Sequence, residues 1–261
     1  MRIGGKSRYL LELIANFGLE AIEGMYLVPQ YYRMINCSSE SNFLRRTKSL
    51  QKSGLIEFNT PRETGAWVAK LTQSGRSAIS GDIDPRTEWE APWDGYWRLF
   101  AFDLPTNKNN ERQILRQWLK QNRLGKLQGS LWITPKNVDG NVDALKARDA
   151  DPSAIILFKG NFEGNRSNSD YVNTAWKFEQ INARYARYLE FLKSDHPDTL
   201  SVETLPKWFQ KEVRIWRDAF ESDPFLPREL WSKEIQQAYQ GPAALSAREG
   251  AYAKWQEKLA R

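Results

Sequence analysis

Residues 41–52 set hydrogen-bonding and cationic side chains at helical spacing. Winding residues 43–53 at about a hundred degrees per residue places Phe43, Thr47 and Leu50 on one face. Ser41, Asn42, Arg45, Lys48, Ser49 and Lys52 fall on the other, with Arg46 at the flank. Lysine and arginine neutralise phosphates, and arginine, asparagine and serine also donate to base edges. That face has no acid, and the set suits a DNA groove. Its alternative is a solvated charged helix beside a hairpin.

Other reactive types are scarce. One cysteine, Cys37, and one histidine, His196, exclude metal sites built from Cys and His. They also exclude an intrachain disulfide, and Ser-His-Asp or Cys-His catalysis that does not use His196. No resident metal or cofactor is expected. Trp93, Trp97, Trp132 and Trp176 are candidates to line an aromatic pocket, or else to pack a tryptophan-rich core. Arg214 and Arg217 suit ligand phosphates, because a planar guanidinium matches phosphate oxygens. Pairing with Asp218, Glu221 or Asp223 is the alternative. Residues 160–164 lack the lysine of a phosphate loop.

The charge balance singles out the same stretch. Residues 1–80 hold 11 of the 38 Lys/Arg and 6 of the 32 Asp/Glu, a net of +5 out of the chain's +6. That localisation favours a polyanionic partner for this segment. The first apolar stretch, Tyr9 to Val28, is broken by Glu12, Glu20 and Glu23, so neither a membrane span nor a signal peptide is read there. The expected location is cytoplasmic.

The elements that position these residues follow from punctuation. Ser38 or Ser39 can cap the cationic helix, and Gly54 can end it. Two strands follow, Leu55 to Asn59 and Ala66 to Leu71, around a turn at Pro61 to Gly65 that carries Arg62. Leu71-Thr-Gln-Ser-Gly-Arg opens a further helix. Helices at 7–26 and 30–35 precede them. This order predicts a winged helix-turn-helix over residues 1–85, with Arg62 at the wing tip.

Beyond the turn-rich Gly81 to Pro85, alternation at Trp97 to Asp103 predicts a strand. A helix at 111–121, a hairpin at 124–134, a helix at 142–147 and a strand at 154–159 complete a ferredoxin-like βαββαβ domain over 93–163. Helices at 172–193, 209–220 and 242–259 form a helical domain over 170–261, for effector sensing or dimer framing. The fold class is α+β.

Several stretches together resemble a known family. They are Trp93-Asp-Gly-Tyr-Trp-Arg-Leu-Phe-Ala-Phe-Asp-Leu-Pro, Gly129-Ser-Leu-Trp-Ile-Thr-Pro, Ala175-Trp-Lys-Phe and Asp223-Pro-Phe-Leu-Pro-Arg-Glu-Leu. With the N-terminal segment they resemble the PaaX-type repressors of phenylacetic acid degradation operons. The resemblance implies a homodimeric, non-enzymatic repressor of a catabolic operon, bound to double-stranded operator DNA and released by an acyl-coenzyme A thioester. Trp132 and Trp176 would then meet the acyl end, and Arg214 and Arg217 the phosphates. It also implies a middle domain similar to the CRISPR adaptation nuclease, where an aspartate placed like Asp103 holds a metal across a dimer axis. A metal-dependent nuclease is therefore the alternative, and an adaptor without ligand control a third. Where the family continues into a Trp-Pro-Gly, this chain has Trp231-Ser and then Tyr239-Gln240-Gly241, so phenylacetyl-coenzyme A is not assumed as the effector.

Overall fold

The computed structural model of the chain describes residues 5–17, 40–59, 68–80, 83–105, 107–138, 155–196, 199–201 and 204–259. Two compact units are present. The first comprises Met1–Asp84, Tyr185–Asp218 and Gln240–Arg261, and the second Pro85–Arg184 and Ala219–Tyr239. Residues from 170 onward are thus divided between the two.

The first unit begins with α1 (Gly5–Phe17), α2 (Glu40–Lys52), β1 (Ile56–Asn59), β2 (Val68–Leu71) and α3 (Gln73–Ser80). Strands β1 and β2 pair antiparallel, from Ile56 opposite Leu71 to Asn59 opposite Val68. The end of α2 is set by Gly54 at φ +67°. There the Leu55 N–H donates to the Leu50 carbonyl at 3.0 Å and the Gly54 N–H to that of Gln51 at 2.9 Å. These two bonds satisfy carbonyls that a helix end leaves open. Thr72 ties the next helix to this stop: its hydroxyl donates to the Gly54 carbonyl at 2.6 Å and accepts from the Gly75 N–H at 3.0 Å. A Cβ on Gly75 would fall 2.0 Å from the Leu55 carbonyl oxygen, so this close approach requires glycine. Arg8 of α1 donates to the Ile79 carbonyl of α3 at 3.1 Å. The expected helix at 30–35, the turn at 61–65 with Arg62, and the serines proposed as cap lie outside the described residues.

The second unit contains α4 (Pro85–Glu90), β3 (Trp97–Phe102), α5 (Asn109–Gln121), β4 (Gly125–Gln128), β5 (Leu131–Thr134), β6 (Ile155–Gly160) and α6 (Asn168–Trp176). Its sheet runs β4-β5-β3-β6 with every neighbour antiparallel. That is the order of a split β-α-β unit, in which two parallel strands flank an antiparallel one. The helix expected at 142–147 lies outside the described residues. On one side of the sheet Phe100, Phe102 and Trp132 pack with Leu115, Trp118 and Leu119 of α5. On the other, α6 lies over Gly125, where a Cβ would come within 2.6 Å of the Trp176 ring.

The remaining helices are α7 (Phe178–Ser194), α8 (Leu205–Ser222), a 3-10 turn (Arg228–Leu230), α9 (Lys233–Ala238) and α10 (Gly241–Leu259). The helix expected at 172–193 is in fact two. Lys177 takes a left-handed φ of +51° between α6 and α7, and its N–H returns to the Asn173 carbonyl at 3.2 Å. No glycine or proline marks that break. Ser167 and Asp170 form a reciprocal capping box at the start of α6, within the stretch expected to be a linker.

Candidate functional site

Helix α2 separates its residues as its periodicity requires. Thr47 and Leu50 are buried, 3% and 4% exposed. A buried leucine contributes about 1.5–3 kcal/mol by removal from water, so the seam fixes which face remains outside. Ser41, Arg45, Lys48, Ser49 and Lys52 are exposed on that outer face, while Asn42 and Arg46 are half-buried. The Arg45 guanidinium donates to Asn42 Oδ1 at 3.0 Å, a contact across one helical turn that holds the arginine along the face. Arg46 lies at the flank with its Nε enclosed. The structure therefore brings together seven of the eight expected DNA-facing residues on one helix. Arg62, the eighth, lies outside the described residues.

The residues expected to meet an effector are not brought together. Trp132 and Trp176 belong to the second unit, Arg214 and Arg217 to the first. The two tryptophans lie on opposite faces of the sheet. Trp132 pairs across β5 and β3 with Phe100 inside the α5 layer. Trp176 covers the other face, its Nε1 donating to the Arg123 carbonyl at 3.0 Å and its ring 6.2 Å from Trp97. Trp97 is fully buried, and Trp93 packs on it at 5.5 Å. Arg214 is exposed, whereas Arg217 is half-buried. Asp103 is exposed just past the end of β3. Among the described residues no group of three or more His, Cys, Asp or Glu side chains is arranged to hold a metal.

Two polar clusters were not anticipated. In the first unit Glu212 of α8 is wholly buried. It accepts from the Tyr188 hydroxyl at 2.7 Å, the Tyr252 hydroxyl at 2.5 Å and Arg248 Nε at 2.8 Å. The Arg248 guanidinium also lies over the rings of Trp216 and Tyr252, at 4.8 and 5.0 Å. Burial would lower the Arg248 pKa, but the Glu212 charge holds it well above its ordinary value. Burial and the same carboxylate push the Tyr188 and Tyr252 hydroxyls up. Nearby, Glu12 of α1 is pushed up by burial, against the pull of Arg248 and Arg217. The sequence carried a signal for both acids. Glu212 sits in the apolar stripe Trp208, Phe209, Val213, Trp216, and Glu12 sits between Leu11 and Ile14.

In the second unit Asp223 is buried. Its carboxylate accepts from the Phe225 N–H at 2.8 Å and from the Tyr239 hydroxyl, and that hydroxyl accepts from Trp89 Nε1 at 3.1 Å. Arg123 reaches the same turn, donating to the Phe220 carbonyl at 2.7 Å and to that of Asp223, with its guanidinium 4.6 Å from the Phe225 ring. The backbone of Arg123 is left-handed, φ +61°, a conformation that a non-glycine residue adopts at a cost of about 1 kcal/mol. Its six-point engagement with the turn, ring and helix end offsets that cost. The two clusters hold elements together; neither joins a nucleophile to a base.

Comparisons with known proteins bear on the middle of the chain. Residues 90–172 match the family model described as the PaaX protein central Cas2-like domain. Among solved structures, the uncharacterized protein Rv0674 from Mycobacterium tuberculosis aligns with 89% of this chain and 90% of its own, at TM-score 0.57 and 14% identity. At that identity the likeness is one of fold. No curated protein sequence matches the chain.

Proposed function

Because the chain carries a PaaX-type central domain over residues 90–172, we propose that it is a DNA-binding transcriptional regulator. The observation that carries the reading is the outer face of α2. Arg45, Lys48, Ser49 and Lys52 are exposed there over the buried Thr47 and Leu50. The β1–β2 hairpin and α3 follow in the order of a winged helix, so α2 is the reading helix and the hairpin, with Arg62, is the wing. Among the described residues no helix is long and apolar enough to cross a membrane.

One reading helix gives weak specificity, and a two-fold dimer gives two. The regulator is therefore read as a homodimer on an inverted repeat, with half-sites spaced by about 10 base pairs or a multiple. Effector release by an acyl-coenzyme A thioester is the finer reading, and it rests on the family resemblance. A hundredfold preference of such a ligand for the DNA-free form would supply about 2.7 kcal/mol of coupling. A thermal-shift and gel-shift panel of thioesters and free acids tests it. If no thioester stabilises the protein or weakens operator binding, effector control of this kind is wrong.

The central test is a gel shift on the DNA upstream of the protein's own gene, with and without Mg²⁺. Intact shifted DNA supports a regulator, and degraded DNA supports the nuclease alternative at Asp103. Arg45→Ala should cost about 1–3 kcal/mol on the specific site and less on random DNA. Equal losses on both would make Arg45 a phosphate contact only.

A further inference from the structure

The exposed large apolar side chains of the described residues gather at one place, the strand β6 and its neighbour. Ile156 is 68% exposed, Phe158 60%, Tyr96 44% and Leu157 38%. Strand β6 is at the end of the sheet order and pairs only with β3 among the described strands. An edge strand presents unpaired N–H and C=O groups and is normally blunted by charge, proline or a bulge. Here the one charge, Lys159, is turned back on its own chain. Its ammonium pairs with Asp94 at 3.2 Å and lies 4.5 Å from the Tyr96 ring. The Phe158 ring lies over Gly160, where a Cβ would meet it at 2.6 Å. The apolar side chain is thus laid along the strand and does not cap its edge.

We propose that β6 pairs antiparallel with the β6 of a second copy about a two-fold axis at Leu157, joining the two sheets into one. The inference rests on the proposed dimer and names its surface. A two-fold contact needs a patch that complements itself, and this register does so. Leu157 faces its own copy, Ile156 faces Phe158 of the second copy twice, and Ile155 faces Lys159. Keeping residues of equal parity opposite each other preserves the faces of both sheets. The two Lys159 side chains start four residues apart along the ladder, about 14 Å. That exceeds the screening length of about 8 Å at physiological salt, and each lysine already has Asp94 beside it. Like charges therefore do not oppose the pairing.

Single-cysteine cross-linking reads the register. In a Cys37→Ser background, Leu157→Cys places two cysteines directly opposite, with Cα atoms about 4.5–5.5 Å apart, within disulfide reach. Phe158→Cys faces Ile156 instead. The expected result is an intermolecular disulfide forming at least tenfold faster for Leu157→Cys than for Phe158→Cys. Equal rates, or none, would overturn the proposal. Sedimentation of the full chain is the second measurement. Wild type should be dimeric at micromolar concentration, and Ile156→Lys/Phe158→Lys monomeric with its circular dichroism retained. A monomeric wild type would leave this edge to an extended segment of another protein and also overturn the proposal, as would a lysine variant that stays dimeric. If the lysine variant does not fold, the cysteine pair decides. A gel shift on the same wild-type sample keeps the two readings apart. DNA binding without the Leu157 cross-link removes only the edge pairing, and the cross-link without DNA binding removes only the regulator.

Discussion

Glu212 in the first unit is buried among Arg248, Tyr188 and Tyr252, whereas the layer between α5 and the sheet in the second unit is Phe100, Phe102, Leu115, Trp118, Leu119 and Trp132. The two kinds of core hold their elements differently. An apolar layer tolerates many arrangements of similar volume. A carboxylate that accepts from three named donors tolerates one, because any other leaves a charge unpaired in a poorly solvated interior. The polar cluster draws on α7, α8 and α10, and Glu12 brings a titratable group of α1 to it. Those helices therefore have a defined register in the unit that also contains α2. The apolar layer sets the sheet on which β6 is an edge.

The largest expected effect breaks the polar side. Glu212→Ala leaves Arg248 buried without its carboxylate and two hydroxyls without an acceptor. Denaturant unfolding should show a loss of about 3–5 kcal/mol, the cost of removing one partner of a buried pair. Replacing Glu212 and Arg248 together by leucine should recover most of it. If the single and double variants lose the same amount, the cluster acts through packing and the contrast between the cores disappears.

Trp132→Phe sharpens the apolar side. The indole N–H of Trp132 is enclosed with no hydrogen-bond partner, so the substitution removes an unsatisfied donor as well as some apolar area. The two changes oppose each other, and the cost should stay within about 1.5 kcal/mol. A larger loss in thermal or urea unfolding would mean that the indole fills space the ring of phenylalanine cannot.

Legibility in the sequence divides along the same line. The seam of α2 was readable, because Thr47 and Leu50 recur at helical spacing and the cations occupy the opposite face. The strands of the sheet were readable from Trp97 to Phe102 and around Gly129, where alternation and a turn residue coincide. The buried acids were not read, since an acid inside an apolar stripe is ordinarily solvated and its partners at Tyr188, Arg248 and Tyr252 are remote in sequence. The break at Lys177 was not read either, because a left-handed lysine has no local signature. The effector set failed for a different reason. Spacing cannot tell which face of a sheet a tryptophan covers when two strands and a helix intervene, and Trp132 and Trp176 fall on opposite faces. The run Ile155 to Phe158 read as a strand, but its position at the edge depended on the order of the sheet.

Glu12→Gln is the smallest perturbation and the one that reads the polar core directly. Burial raises the Glu12 pKa above its ordinary value of 4.5, with Arg248, Arg217 and Arg8 opposing and Glu212 adding to the rise. The folded state then holds a proton that the unfolded state has released. Stability therefore falls as pH rises from about 4.5 through the folded pKa, because the unfolded chain binds fewer protons there. Glutamine has nearly the same shape and cannot ionise. Below pH 4.5 the wild type and Glu12→Gln should differ little, and above the folded pKa the variant should be the more stable. Asp94 does not interfere, since Arg98 holds its pKa below the ordinary value of 3.8 and its contribution is lost only as pH falls below that range. The measurement is the difference in unfolding free energy between the two proteins from pH 4 to 8. A difference that grows with pH identifies Glu12 as a carboxyl kept neutral by its surroundings. A flat difference would mean that Arg248 and Arg217 already compensate its charge in the fold. The first unit would then hold a second buried ion pair beside Glu212 and Arg248, and its contrast with the apolar layer would be sharper still.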